Sequence, residues 1–287
     1  MKKNNTKRQL DAVVISDVHL GTYGCHAKEV LRYLKSIETK KLILNGDIVD
    51  MWQFSTRYFP TSHMKVIKYI LNLVSKETKV YYITGNHDET LRKFAGYKMG
   101  SLKIINKLVL QHNGKRSWIF HGDVFDVTMK HSKWLAKLGA KGYDTLILIN
   151  RFVNYFSEKM GYGKISLSQK VKNSVKKAMS YIEHFEETAA DIAISNKYDY
   201  VICGHIHHPV KRIIKNDEGQ VVYLNSGDWI ENLSALELKD GDWSIYKYKD
   251  EDYTDTKITV DKETNITNNK ELFKDLVGEF LSIANKN

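Results

Sequence analysis

Short unbroken apolar runs alternate with helically spaced stretches over the first ninety or so residues. "AVVIS" (Ala12–Ser16), "KLILNGD" and "KVYYITGNHD" each read as a buried strand ending in a turn, too short for a buried helix. Between them "AKEVLRYLKSIE" (Ala27–Glu38) and "HMKVIKYILNLVS" (His63–Ser75) carry apolar residues at helical spacing. The pattern is β-α-β-α-β, which predicts an α/β fold with a mostly parallel sheet and helices packed on it. "LVLQHNGKRSWIFHGD" alternates on either side of Asn113-Gly114, the signature of a hairpin. Val127–Lys164 reads as mostly helical and Ser168–Ser195 as one long helix, after which "YDYVICGH" is another strand. Val210–Lys249 alternates as three antiparallel strands, with turns at "NDEG" and "KDGD". From Asp250 the chain is polar, with one helix at Lys270–Ala284. One domain over residues 1–250 follows, with a helical cap inserted at about 127–180 and a polar tail over 251–287.

At 287 residues, with 42% hydrophobic and 27% charged, the chain has the composition of an ordinary globular protein. No apolar run approaches the roughly 20 residues that span a bilayer. The basic N-terminus is followed by an apolar stretch of only Ala12–Ile15, short for a secretory signal, and Cys25 and Cys203 make no disulfide framework. The expected location is cytoplasmic. Charge changes this picture. The net charge is +10, and the segment Val127–Ser180 holds eleven Lys or Arg against two acids, Asp144 and Glu158. That segment also carries Trp134, Leu135, Leu138, Phe152 and Phe156. A solvated helical face accounts for the lysines but not for so many apolar residues. A basic amphipathic segment suits an anionic lipid, or peripheral contact with the inner face of the membrane. Nucleic acid ranks last, because no recognised binding motif is present. Lys172, Lys176 and Lys177 are the expected contacts to phosphate or anionic lipid.

Five strand ends carry the candidate chemistry: Asp17-Val18-His19, Gly46-Asp47 with Asp50, Gly85-Asn86-His87-Asp88, His121-Gly122-Asp123, and Gly204-His205-Ile206-His207. Ligands collect at the carboxyl ends of strands in open α/β sheets, so these groups can converge. Carboxylates can bridge two cations, and imidazoles with an amide oxygen suit manganese, iron, zinc or nickel. Asp17 and His19 are two apart, as are His205 and His207; in an extended chain each pair leaves on one side, and His208 falls on the other. Any one of these histidines alone reads better as a hydrogen-bonded structural residue, and "GD" or "GN" alone as a turn. All five in order, each after a strand, read as a metal site. Asp123 and Asp126 read as structural or supporting groups, His112 and His184 as surface residues, and Cys25, His26 and His63 as lying outside the ligand set.

The ordered set D-x-H, GD-x-x-D, GNHD, H-G-D and G-H-x-H, from about Val13 to Trp229, resembles the signature of the calcineurin-like metallophosphoesterases. The resemblance implies a four-layer αββα sandwich and two divalent metal ions, Mn2+ foremost. It implies that Asp17, His19 and His207 hold one metal, Asn86, His121 and His205 the other, and that Asp47 bridges them. His87 matches the non-ligand histidine beside the scissile group, and Asp50 the acid that orients it. The basic insertion and "GHIHHP" are most similar to the bacterial UDP-2,3-diacylglucosamine hydrolases of lipid A synthesis, although His87 stands where those enzymes carry Arg. Asp50 is followed by Met51-Trp52, not by the Arg-Gly of protein Ser/Thr phosphatases. The implied function is hydrolysis of a P–O bond by a hydroxide between two metals, in a pyrophosphate or lipid-linked nucleotide substrate. A soluble phosphodiesterase and a non-catalytic scaffold are the rival readings.

Overall fold

The computed structural model describes residues 7–52, 58–127 and 168–253, the stretch 168–178 by its backbone alone. In chain order the strands and helices are β1 (Arg8–Leu10), β2 (Ala12–Ile15), α1 (Ala27–Ser36), β3 (Ile37–Thr39), β4 (Lys41–Asn45), α2 (Thr61–Ser75), β5 (Lys79–Ile83), β6 (Lys98–Met99), β7 (Leu102–Ile105), β8 (Leu108–His112) and β9 (Lys115–Ile119). Then come α3 (Ser168–Ser195), β10 (Tyr200–Cys203), β11 (Val210–Asn216), β12 (Gly219–Asn225), β13 (Ser234–Lys239) and β14 (Asp242–Lys247). The chain forms two compact units, Met1–Gly122 with Ile192–Asn287, and Asp123–Asp191.

In the first unit, seven strands run in the order β14-β13-β2-β4-β5-β7-β6 and five in the order β11-β12-β10-β9-β8; β1 and β3 make a separate parallel pair. Strands β2, β4, β5 and β7 are mutually parallel, as are β9, β10 and β12. Helices α1 and α2 supply the crossovers that parallel pairing requires. Alternation then divides each strand between two cores. Val13, Ile15, Leu42 and Leu44 face Val30, Leu34, Val66 and Ile70 of the helices. Ala12, Val14 and Ile43 face Ile119, Tyr200, Ile202 and Leu224 of the other sheet. With both faces covered, the strands read as continuous apolar runs. Trp243 is fully buried in the core between the sheets, and its indole N–H donates to Ser117 Oγ at 2.9 Å, joining β14 to β9.

The α/β reading and the strand-to-turn junctions agree with this architecture, as does the Asn113-Gly114 hairpin, whose two turn residues have φ of 46° and 75°. Three expectations are corrected. The stretch after Val210 is four strands in two hairpins, one in each sheet, because alternation counts strands without saying which sheet a strand joins. The helix expected through Glu38 stops at Ser36, where Ile37–Thr39 pairs with β1. His112 is half-buried, its Nε2 is 2.8 Å from Ser117 Oγ, and its ring meets Tyr200 and Trp243, so it is not a surface group. The expected helices within residues 128–167 and at Lys270–Ala284 lie outside the described residues. Among the described residues no helix is long and apolar enough to cross a membrane.

The loop after β2 is held by α2. His63 is buried, and its Nδ1 accepts the Gly21 N–H at 2.9 Å. That acceptor must be unprotonated, and burial lowers its pKa from the ordinary 6.5. Below 6.5 the unfolded chain takes up a proton that the folded chain resists, so stability falls as pH falls from 6.5 through the lowered folded value. Denaturant titrations across this range should show a steeper acid loss for the native chain than for His63→Gln; equal slopes would contradict this account.

Candidate metal centre

Five strands from two sheets deliver the candidate residues to one end of the first unit. Asp17 and His19 follow β2, Asp47 and Asp50 follow β4, and Asn86 and His87 follow β5. His121 follows β9, and His205 and His207 follow β10. Two triads have ligand-capable atoms all within 4.8 Å of one another: Asp17, His19 and His207, and Asp47, His121 and His205. A third group of the same kind, His19, Asp50 and His87, shares its first member with the first triad. The structure thus brings together Asp17, His19, Asp47, Asp50, His87, His121, His205 and His207. Asn86 lies beside them at the β5 turn. Lys172, Lys176 and Lys177 belong to α3, where only the backbone is described.

Local backbone geometry does much of the aiming. Asp17, His19, Asp47, His205 and His207 have φ between 51° and 67°, and they are half of the ten non-glycine residues with positive φ among the described residues. Each costs roughly 1–2 kcal/mol in the left-handed region, a strain that concentrates at functional sites. His205 and His207 both reach the site, as expected, each in a different triad, although neither they nor Asp17 and His19 have the extended backbone that the spacing assumed. His208 is exposed. Glycine gives room for close approach: a Cβ on Gly46 would overlap the His121 ring, and one on Gly85 would meet the Asp47 Oδ1 and, at 2.7 Å, the Asp47 backbone nitrogen.

Asp47 sits between the triads. Its Oδ2 is 3.3 Å from His121 Nε2 and 4.0 Å from His19 Nε2, while Oδ1 accepts the His87 N–H at 2.8 Å. His121 Nδ1 is 2.9 Å from the Asn45 carbonyl, an atom that only accepts, so Nδ1 carries a proton, and in the neutral ring Nε2 presents a lone pair to Asp47. Two acceptors that close repel unless a proton or a cation lies between them. Two atoms each about 2.1 Å from one ion stand about 3 Å apart, so the pair fits a metal. His19 Nε2 and Asn86 Oδ1 are buried and make no hydrogen bond among the described residues, which fits the same use. Burial alone would raise the Asp17 pKa and lower that of His207. With His207 Nε2 3.1 Å from Asp17 Oδ1, attraction wins: Asp17 is held below its usual range and His207 pushed up to about 9. His87 Nδ1 lies 3.1 Å from Asp50 Oδ2; burial pulls its pKa down, and Asp50 with the neighbouring carboxylates raises it above the ordinary value.

Two residues that hold the site were given no role from the sequence: Asp88, within the third cluster, and Asp228. Asp88 is fully buried and accepts from Gly85 N–H at 2.6 Å, Tyr82 hydroxyl at 2.6 Å and Ile48 N–H at 3.0 Å, tying the loop after β4 to the turn after β5. Asp228 accepts from the N–H groups of Ile230, Glu231 and Asn232, and the Asn232 amide donates to the His207 carbonyl at 2.9 Å. "NSGD" after β12 repeats the glycine–acid pattern of the other strand ends, and that signal was legible. Asp126 accepts the Tyr181 hydroxyl at 2.7 Å within the second unit, in keeping with a structural role. Cys25 falls outside the triads, and burial pushes its thiol up to about 12, so it stays protonated.

The model of the calcineurin-like phosphoesterase family matches residues 11–209. The UDP-2,3-diacylglucosamine hydrolase of Blochmanniella pennsylvanica is 25% identical over 238 residues, 80% of this chain and 93% of that protein. The enzyme of the same name from Shewanella baltica is 28% identical over 232 residues, 78% of this chain and 91% of its own length. Among solved structures, an archaeal phosphodiesterase gives a TM-score of 0.39 at 14% identity, over 83% of this chain and 99% of that one. With a family match over more than half its length and the family's ordered motifs gathered at one site, the chain belongs to the calcineurin-like phosphoesterase family and is a metal-dependent hydrolase.

Proposed function

We propose that the chain hydrolyses a P–O bond at a dinuclear centre, with Asp17, His19 and His207 holding one ion, Asn86, His121 and His205 the other, and Asp47 between them. The observation that carries this reading is the position of Asp47 Oδ2, which faces a histidine of each triad. Divalent ions bound there supply an activated water near neutral pH and neutralise phosphoryl charge. Mn2+ is the first candidate, since mixed imidazole, carboxylate and amide donors suit it. His87 carries the proton chemistry. Its Nδ1 faces Asp50, so in the protonated ring Nε2 is the nitrogen left to donate as the P–O bond breaks. Asp50 fixes that orientation.

For substrate we propose a lipid-linked pyrophosphate of the UDP-2,3-diacylglucosamine type. Two things support it: the name shared by the curated relatives, and nine of the ten net positive charges lying within Val127–Ser180. That segment, with Lys172, Lys176 and Lys177, is the proposed seat of anionic lipid and of peripheral membrane contact. Each basic residue near an anionic surface contributes about 1 kcal/mol.

Elemental analysis tests the metal assignment: Asp47→Ala should lose both ions and His208→Ala neither. Loss of metal from the His208 variant, with retention in His207→Ala, would overturn the ligand set. His87→Ala should keep its metal and lose about 10²–10⁴-fold in rate on an alkyl leaving group, and little on nitrophenolate; equal losses exclude proton donation. Sedimentation with anionic vesicles should fall as salt rises. Lys172, Lys176 and Lys177 changed to Glu should cut lipid-substrate turnover while hydrolysis of a small aryl phosphodiester survives. A chain that ignores vesicles and prefers soluble substrates is a soluble phosphodiesterase.

A further inference from the structure

His87 is tied to the loop after Asp47 at every point except its side-chain torsions. Its N–H donates to Asp47 Oδ1 at 2.8 Å, and its carbonyl accepts the Met51 N–H at 3.0 Å. These bonds fix the backbone and leave the imidazole to rotate about two bonds. Asp50 faces one ring nitrogen at 3.1 Å. Asp50 is itself aimed by the same loop, because its Oδ1 accepts the Trp52 N–H at 3.0 Å. The next contact is to the ring itself: the Trp52 indole lies over His87 with centroids 4.3 Å apart and planes 31° apart. His19 meets the same imidazole edge-on at 4.6 Å. Residues 50, 51 and 52 therefore each make a different contact to His87 or to the acid that orients it.

Burial does not explain where the indole lies, since Trp52 is 57% exposed. A half-exposed Trp on a loop that merely filled space would put its ring into the core, where its area contributes most. Here the ring lies on an imidazole whose own side chain is 19% exposed. We infer that Trp52 is a positioning residue: it confines His87 to the rotamer in which Nδ1 meets Asp50 and Nε2 is free to donate. This rests on the reading of His87 as the proton donor. An aromatic pair of this kind shifts a rotamer population by about 2- to 12-fold.

The test uses the metal-loaded full chain with an alkyl and a nitrophenyl phosphodiester, and compares Trp52→Ala, Trp52→Phe, His87→Ala and the double variant Trp52→Ala/His87→Ala. Trp52→Ala should keep its metal content and melting temperature, leave KM within about twofold, and lower kcat about 2- to 12-fold on the alkyl substrate alone. Trp52→Phe should restore most of that loss, since a phenyl ring can cover the same face. In the His87→Ala background, Trp52→Ala should cost nothing further, because a residue that acts through His87 has nothing left to position. A raised KM with kcat unchanged would make Trp52 a substrate contact and overturn the inference, as would a loss of equal size in the His87→Ala background. If His87→Ala itself loses equally on both substrates, the donor reading falls and this inference with it. If His87→Ala behaves as expected and only the Trp52 arms fail, the inference alone falls.

Discussion

Four carboxylates, those of Asp17, Asp47, Asp50 and Asp88, are almost wholly out of water at one end of the first unit. Buried charges must be compensated, and each of these is compensated differently. Asp88 is satisfied by three donors from the turns it joins. Asp50 faces His19 and His87. Asp17 has the His205 N–H and His207. Asp47 has one N–H, and its other oxygen faces His121 Nε2 at 3.3 Å and His19 Nε2 at 4.0 Å. That residual demand for positive charge is the constraint on which the site depends. Divalent metals of the kind the family implies would answer it; the histidines alone do so only by taking up protons.

The architecture meets this demand by bringing candidate ligands from two sheets to one place. A single parallel sheet would present β2, β4 and β5 in a row, with Asp17, Asp47 and Asn86 side by side. Packing a second sheet over the first through Val14, Ile43, Ile119 and Ile202 sets His121 and His205 beside Asp47. Strands covered on both faces tolerate little movement, so the strand ends are fixed within a close-packed frame. Turns then finish the aiming with left-handed aspartates and histidines, and with glycines that let His121 and Asp47 come close.

Much of this was legible from residue order. Apolar runs marked β2, β4, β5 and β10, alternation marked β9, and the polar pair or triplet after each marked a candidate ligand position. Other features were not. β1, β3 and β6 are two or three residues long, too short for a period to show. The division of the last four strands between two sheets is invisible to alternation, since a strand has the same pattern in either. Spacing picked out His205 and His207 over His208, but its premise of extended backbone does not hold, since both, like Asp17 and His19, have left-handed φ.

The sequence by itself determined the fold class, the family motifs and the chemical identity of the donors, because these depend on local patterning and on side-chain type. The family motifs implied which donors share a triad and that Asp47 stands between them, but this is brought about only by tertiary structure. It also decided that Asp88, Asp228 and His63 hold the loops and that Trp52 covers His87. The reason is physical: distance between side chains from different strands is set by sheet order and by packing between sheets, and neither is written in the spacing along one segment.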